Sequence, residues 1–260
     1  MIFINGTQIP IEHYPDGTPR IKAENLDSRE NSFIEWKYEP NEEMPFYFIA
    51  RHFKEKYGSL GLIMPYLPYA REDFIKDRSR VFTLKYFCEL INSIGFEFVE
   101  LHDVHSPVAL ALLNKSYQIP NMVNKVIERN LGLQREKDIV FYPDEGAVKR
   151  YADKLNFPYA FGIKQRNWQN GDILRLDIIG DIPKEPFNVL IVDDICSYGT
   201  TFLKSAEKLK EMGADKIYLY VTHCENSILQ GKLINSGLLE RIYTTNSIFT
   251  GEHPLIEVIG

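Results

Sequence analysis

Short apolar runs alternate along most of the chain with stretches whose apolar residues recur at helical spacing. That alternation predicts parallel strands with helices on their faces, an α/β architecture. Residues 60–64 read as a strand stopped by Pro65. Over 81–94, Phe82, Leu84, Phe87, Leu90, Ile91 and Ile94 keep near-helical spacing up to Gly95, which predicts a helix and its stop. A strand over 96–101, a short helix over 107–113, a strand over 139–142 and a helix led by Gly146 through Leu155 follow in the same rhythm. The second half repeats it more sharply. A strand over 188–192, a loop over 193–200, a helix over 201–212 with Phe202, Ala206, Leu209 and Met212 inward, and a strand over 216–222 make one βαβ unit, with Gly213 as the helix stop. Pro120 interrupts the pattern and puts a domain junction near 119–121, giving domains 1–120 and 121–250, with 251–260 a candidate to return to the first.

Length fits this division, since 260 residues exceed one typical domain. With 44% hydrophobic and 25% charged residues the chain is ordinary globular material. Thirty Lys and Arg against 36 Asp and Glu leave a net charge of -6, so no global basic field draws it to nucleic acid and an anionic ligand needs a local site. No apolar run reaches membrane-spanning length, and no basic segment leads into a long apolar one at the N-terminus. The expected location is the cytoplasm. Three widely spaced cysteines, Cys88, Cys196 and Cys224, suit neither a disulfide framework nor a zinc site and read as buried small hydrophobes.

The most informative stretch is Val189-Leu-Ile-Val-Asp-Asp-Ile-Cys-Ser-Tyr-Gly-Thr-Thr201, a buried strand that delivers two adjacent acids into a hydroxyl-rich turn opening a helix. Ligands of open α/β sheets sit beyond the carboxyl ends of strands, and a helix N-terminus offers free N–H groups and a favourable dipole to phosphate. Ser197, Tyr198, Gly199, Thr200 and Thr201 are therefore candidates to hold a phosphate, and Asp193 and Asp194 to accept from ribose hydroxyls. Alone, the segment also reads as a helix cap after an acidic turn.

This stretch resembles the phosphoribosyl-pyrophosphate (PRPP) motif of type I phosphoribosyltransferases and, more specifically, of ribose-phosphate pyrophosphokinases. Five other motifs agree in order. Tyr14-Pro-Asp-Gly-Thr18 resembles that family's adenine-contacting turn, and Met64-Pro-Tyr-Leu-Pro-Tyr-Ala-Arg71 with Glu72-Asp-Phe-Ile-Lys-Asp-Arg-Ser-Arg80 its ATP loop. Asp103-Val-His105 is similar to its metal site, Tyr142-Pro-Asp-Glu-Gly-Ala-Val-Lys-Arg150 to its second acidic turn, and Lys164-Gln-Arg166 to its catalytic loop. The resemblance implies two tandem phosphoribosyltransferase-like domains, each a mainly parallel sheet flanked by helices, the first for ATP and the second for ribose phosphate. It implies Mg²⁺ and ATP, with Lys164, Arg166 and His105 catalytic, and Tyr14, Asp16, Arg71, Glu72, Asp77 and His105 on the nucleotide. Asp103, His105 and Asp144 are the implied metal contacts, and Asp144 joins the second domain's sugar residues. It also implies a homo-oligomer whose nucleotide site takes Tyr14 from a neighbouring subunit.

The residues have a physical reading of their own. Asp103 and His105 are two apart just past a strand, and extended chain puts such a pair on one face. A carboxylate oxygen suits Mg²⁺, whereas imidazole is a less usual ligand, so His105 is also a candidate for ATP phosphates. Lys164 and Arg166 likewise share a face if extended, ahead of Trp168, Asn170 and Gly171, and two cations suit the charge that develops in phosphoryl transfer. Asp16 can accept from an adenine amine while Tyr14 stacks, although such a tetrapeptide is also a common turn.

The expected activity is Mg²⁺-dependent transfer of the ATP pyrophosphoryl group to the 1-hydroxyl of ribose 5-phosphate, giving PRPP and AMP. Ser197 and the bulky Tyr198 depart from the family's phosphate loop, which leaves a larger 5-substituted ribose, such as ADP-ribose, open as acceptor. A phosphoribosyltransferase consuming PRPP would need the 193–201 loop but not Tyr14 or Arg71. A non-catalytic regulatory subunit would have no need of Asp103, His105, Lys164 and Arg166.

Overall fold

A computed structural model describes residues 1–23, 32–75, 77, 79–166, 173–184 and 186–259, and the chain divides into two units, Met1–Pro120 and Asn121–Gly260. In the first, β1 (Ile2–Ile4), β2 (Thr7–Gln8), β3 (Ile11–His13), β4 (Pro19–Ile21) and β5 (Phe33–Trp36) precede α1 (Glu43–Tyr57), and β6 (Gly61–Met64), α2 (Thr83–Ile94), β7 (Val99–His102), α3 (Val108–Leu112) and β8 (Ser116–Ile119) follow. The main sheet has the order β2-β1-β5-β6-β7-β8. Its strands β5 to β8 are parallel, and β1 runs antiparallel to both its neighbours. Strands β3 and β4 form a separate antiparallel hairpin. The helical face expected in α2 is buried at Leu84, Phe87, Ile91 and Ile94, and Gly95 ends it at φ 75° and ψ 49°, a left-handed conformation that costs glycine little. Trp36 stacks on Phe46 of α1 with ring centroids 4.0 Å apart, at the centre of this unit's core.

The second unit begins with α4 (Val123–Lys125), which widens into a π turn over Val126–Leu131. Then come β9 (Ile139–Tyr142), α5 (Glu145–Leu155), β10 (Tyr159–Arg166), β11 (Ile173–Gly180), β12 (Phe187–Cys196), α6 (Thr200–Glu211), β13 (Ala214–Cys224), β14 (Arg241–Thr245) and β15 (Ile256–Ile259). The sheet order is β11-β10-β9-β12-β13-β14-β15, parallel throughout except for the antiparallel edge β11. One face of it buries Val189, Ile191 and Leu219 with Phe202, Ala206 and Leu209 of α6. The other buries Val140, Leu190, Val192 and Tyr220 with Ala147, Tyr151 and Leu155 of α5.

Two sequence expectations need correction. Strand β12 continues past Val192 to Cys196, because its pairing with β13 persists through Asp193↔Val221 and Cys196↔Cys224, so both acids lie in the strand rather than in a loop. The C-terminal segment does not return to the first unit. Strand β15 satisfies the open edge of β14 from Ile242↔Ile256 to Thr245↔Ile259, and Leu255 and Ile256 pack on the second unit's core.

Candidate active site

Successive side chains of a strand point to opposite faces. At the carboxyl end of β12, Asp193 therefore continues the Val189 and Ile191 row on the α6 side, while Asp194 continues the Leu190 and Val192 row on the α5 side. The side chain of Asp194 is 3% exposed and that of Asp193 17%. Arg150, from α5, reaches Asp194 Oδ1 at 2.5 Å and Asp193 Oδ1 at 3.7 Å. The Asp194 N–H donates to Asp193 Oδ1 at 2.9 Å. Burial first, and the neighbouring charge of Asp194 second, push Asp193 well above the usual carboxylate range, against the pull of Arg150. Burial works against the charge of Arg150 as well, but Asp194, Tyr151 and Asp193 together outweigh it and strengthen the guanidinium's hold on its proton.

Four residues past Ile195, Gly199 turns left-handed at φ 78° and caps α6. Having no side chain, it leaves the first-turn N–H groups to an outside anion. A Cβ on Gly199 would lie 2.7 Å from the Leu233 side chain, and one on Gly231 would lie 2.0 Å from the Tyr198 carbonyl oxygen. The loop from Ser197 to Thr201 thus rests on the short turns Asn226–Gln230 and Leu233–Asn235. The Tyr198 ring stands 55% exposed.

Asp144 caps α5. Its Oδ1 accepts from the Ala147 N–H at 3.2 Å and its Oδ2 from Lys164 Nζ at 3.0 Å, with the Lys164 side chain 8% exposed. Burial alone would raise Asp144, but Lys164, the Ala147 N–H and Arg150 together outweigh it and hold the carboxyl below its usual range. Each oxygen accepts one hydrogen bond, and the side chain is 48% exposed, so lone pairs remain open to an outside partner. Lys164 sits within β10 opposite Leu176, and the register shifts between Gln165 and Arg166. The extra residue of that bulge lies on β11, where Arg175 and Ile173 are the successive partners of Gln165 and Arg166. The Arg166 side chain and residues 167–172, with Trp168, Asn170 and Gly171, lie outside the described residues.

In the first unit, β7 ends at His102 and Asp103 turns left-handed at φ 40°, so strand alternation does not present Asp103 and His105 together. Asp103 is buried and His105 half-buried. The Val104 N–H between them donates to Gln118 Oε1 at 3.3 Å. His102 lies 3.3 Å from Glu100. The Tyr14 to Thr18 turn closes through its backbone, and Asp16 Oδ1 accepts from the Thr18 N–H at 3.0 Å and hydroxyl at 2.7 Å, which holds Asp16 below its ordinary value. The exposed Tyr14 ring has the Arg20 guanidinium 5.9 Å from its centroid. Arg71 is exposed, Glu72 pairs with Arg80 at 3.1 Å, and Asp77 is held low by the Ser79 hydroxyl and N–H. Among the described residues no three His, Cys, Asp or Glu side chains gather as a metal cage. Mg²⁺ is ordinarily bound by one or two carboxylates together with substrate phosphates and water. The buried Asp103 carboxylate suits that mode.

The second unit therefore brings together Asp144 with Lys164, and Asp193 and Asp194 with the Ser197 to Thr201 loop. Sequence reasoning did not single out Arg150, Gly231 or Leu233. A signal existed for Arg150, which stands three residues after Ala147 and one before Tyr151 on the buried face of α5, where a cation needs a carboxylate. Gly231 and Leu233 lie 30 and 32 residues beyond Thr201, and nothing local marks them.

The family model of the phosphoribosyl synthetase-associated domain matches residues 172–254. A ribose-phosphate pyrophosphokinase of Sulfurisphaera tokodaii is 27% identical over 260 residues, covering 92% of this chain and 85% of its own length. Ribose-phosphate pyrophosphokinase 2 of Schizosaccharomyces pombe is 30% identical over 197 residues, 72% of this chain, and the chain spans 59% of that relative's length. The crystal structure of phosphoribosylpyrophosphate synthetase from Mycobacterium smegmatis superposes with a TM-score of 0.81 at 18% identity, over 97% of this chain and 85% of that one, which establishes the shared fold.

Proposed function

Since the chain belongs to the ribose-phosphate pyrophosphokinase family, we propose that it transfers the pyrophosphoryl group of ATP to the C1 hydroxyl of ribose 5-phosphate, forming PRPP and releasing AMP. The observation that carries this reading is the acid pair at the end of β12 beside the glycine-turned loop that opens α6. Asp193 and Asp194 accept from the ribose hydroxyls, and the amides and hydroxyls of Ser197, Tyr198, Gly199, Thr200 and Thr201 hold the 5-phosphate. Lys164, released from Asp144, donates to the transferring group, and Arg166 adds a second cation. Asp144 keeps Lys164 oriented until the phosphates arrive. Tyr14, Asp16, Arg71, Glu72, Asp77 and His105 bind ATP. Asp103 would hold Mg²⁺ together with the ATP phosphates, and the ion would supply charge stabilisation to the phosphoryl oxygens. The ribose C1 hydroxyl attacks the β-phosphorus and gives up its proton to solvent, the bond from that phosphorus to the α-phosphate bridging oxygen breaks, and AMP leaves with that oxygen.

The reading includes a homo-oligomer that completes the nucleotide site with Tyr14 of a neighbouring copy. It also places the reaction in the cytoplasm, where three unpaired, buried cysteines are at home. No helix among the described residues is long and apolar enough to cross a membrane. The exposed Tyr198 ring on the phosphate loop favours a second acceptor class, a ribose bearing a larger 5-substituent.

Incubation with ATP, Mg²⁺ and either ribose 5-phosphate or ADP-ribose, with AMP and the phosphorylated sugar followed by chromatography and ³¹P NMR, tests both. Stoichiometric AMP and PRPP are expected from ribose 5-phosphate. AMP formation with neither sugar would overturn the proposal, and turnover of ADP-ribose alone would reassign the acceptor.

A further inference from the structure

Arg150 stands outside the loop that meets the sugar, yet it touches both acids at the end of β12. It projects from the face of α5 that also buries Ala147, Tyr151 and Leu155. Its guanidinium carbon lies 5.6 Å from the Tyr151 ring centroid, a cation–π contact that limits its freedom. From there it reaches the almost fully buried Asp194 carboxylate at 2.5 Å, while Asp193 Oδ1 is 3.7 Å away. Asp194 in turn donates its N–H to Asp193 Oδ1. A chain of contacts thus runs from α5 to Asp194 and on to Asp193, which borders the phosphate loop. An adjacent acid pair at a partly buried strand end has two charges to compensate, and Arg150 pairs with both of them.

We infer that Arg150 is a positioning residue for the sugar, acting through Asp194 to hold the paired carboxylates where the ribose hydroxyls need them. This rests on the proposed diphosphotransfer. Arg150 touches no reacting atom, so its removal weakens sugar recognition and leaves nucleotide recognition alone. Because it acts through Asp194, its effect depends on that carboxylate being present.

The test compares wild type with Arg150→Met, Arg150→Lys, Asp194→Asn and the double variant Arg150→Met/Asp194→Asn. For each, KM for ribose 5-phosphate and for ATP is measured in turnover, ribose 5-phosphate binding by calorimetry, and the unfolding midpoint by circular dichroism. Loss of a charge-assisted contact predicts that Arg150→Met raises the sugar KM and Kd roughly 10- to 100-fold. KM for ATP moves by less than about twofold, because its removal spares ATP binding. Arg150→Lys recovers part of the loss. The double variant is no worse than the poorer single variant, the non-additivity expected of one coupled unit. Equal changes in both KM values, an unchanged sugar Kd, or additive losses in the double variant would overturn the inference. If Arg150→Met does not fold, Arg150→Lys and the double variant carry the comparison, since each leaves Asp194 without an uncompensated charge. Wild type that binds ribose 5-phosphate without turning over would refute the proposed reaction while the calorimetric series still decides the role of Arg150. Wild type that does not bind the sugar would sink both.

Discussion

Replacing Gly231 with alanine probes the phosphate loop from a residue thirty positions away. Gly231 has φ -79° and ψ 161°, a conformation alanine adopts freely, so backbone strain does not enter. The added methyl carbon would stand 2.0 Å from the Tyr198 carbonyl oxygen and 2.9 Å from its carbon. Close C···O contacts in proteins lie at about 3.3 Å, so the two segments must separate by about 1.3 Å. Neither side can yield by turning a side chain, because both are backbone, and the Gly231 N–H is already held by the Ile228 carbonyl at 2.9 Å. The displacement therefore falls on the loop from Ser197 to Thr201. Overpacking of this kind costs about 1–3 kcal/mol. At about 2–4 °C per kcal/mol the unfolding midpoint drops by roughly 2–12 °C. Misplacement of a binding group by about 1 Å costs on the order of 10²-fold in rate, and here it lands on the sugar side. Steady-state kinetics of Gly231→Ala should thus show kcat/KM for ribose 5-phosphate down about 100-fold with KM for ATP little changed. A folded variant with wild-type sugar kinetics would refute the view that this contact fixes the loop.

Three further outcomes are expected. Lys164→Met should lower kcat by roughly 10²- to 10³-fold with a smaller change in the sugar KM, measured by AMP release, as for loss of one preorganised donor; an equal loss in binding would show a ground-state role instead. Asp193 is raised by burial and by Asp194, so the folded chain holds this proton more tightly than the unfolded chain. The stability this provides is complete below about pH 3.9 and is lost as pH rises through the folded value. Asp193→Asn should therefore melt above wild type at pH 8, with the gap closing toward acid; a constant gap across a pH series of melts would contradict the assignment. Burial pushes the Cys88 thiol up to about 12, and Cys196 and Cys224 are also buried, so an aromatic disulfide reagent should find almost no thiol at pH 7.5 in the native chain and three after unfolding.

Much of this was legible in the residues because local periodicity and burial agree. The apolar spacing in α2 and its Gly95 stop, the strand Ile139–Tyr142 and the helix α5 through Leu155 all form within a few residues of where the pattern puts them. What escaped depends on partners distant in sequence. Strand β12 extends through both acids because β13 stays hydrogen-bonded beside it, and a hydroxyl-rich sequence alone looks like a loop. Asp103 adopts a left-handed backbone that no two-residue alternation anticipates. The support of the phosphate loop by Gly231 and Leu233 is a contact between segments, invisible until the chain is folded.

The neighbouring acids of β12 look into different helical layers, and this limits how the second unit can be recombined. A chimera that imported strand, loop and following helix from a relative would bring its own carboxylates but meet a foreign arginine register on α5. Exchange of acceptor preference between homologues should therefore succeed only when residues 144–155 travel with 187–212 as one cassette, because Arg150 of the first segment holds the acids of the second.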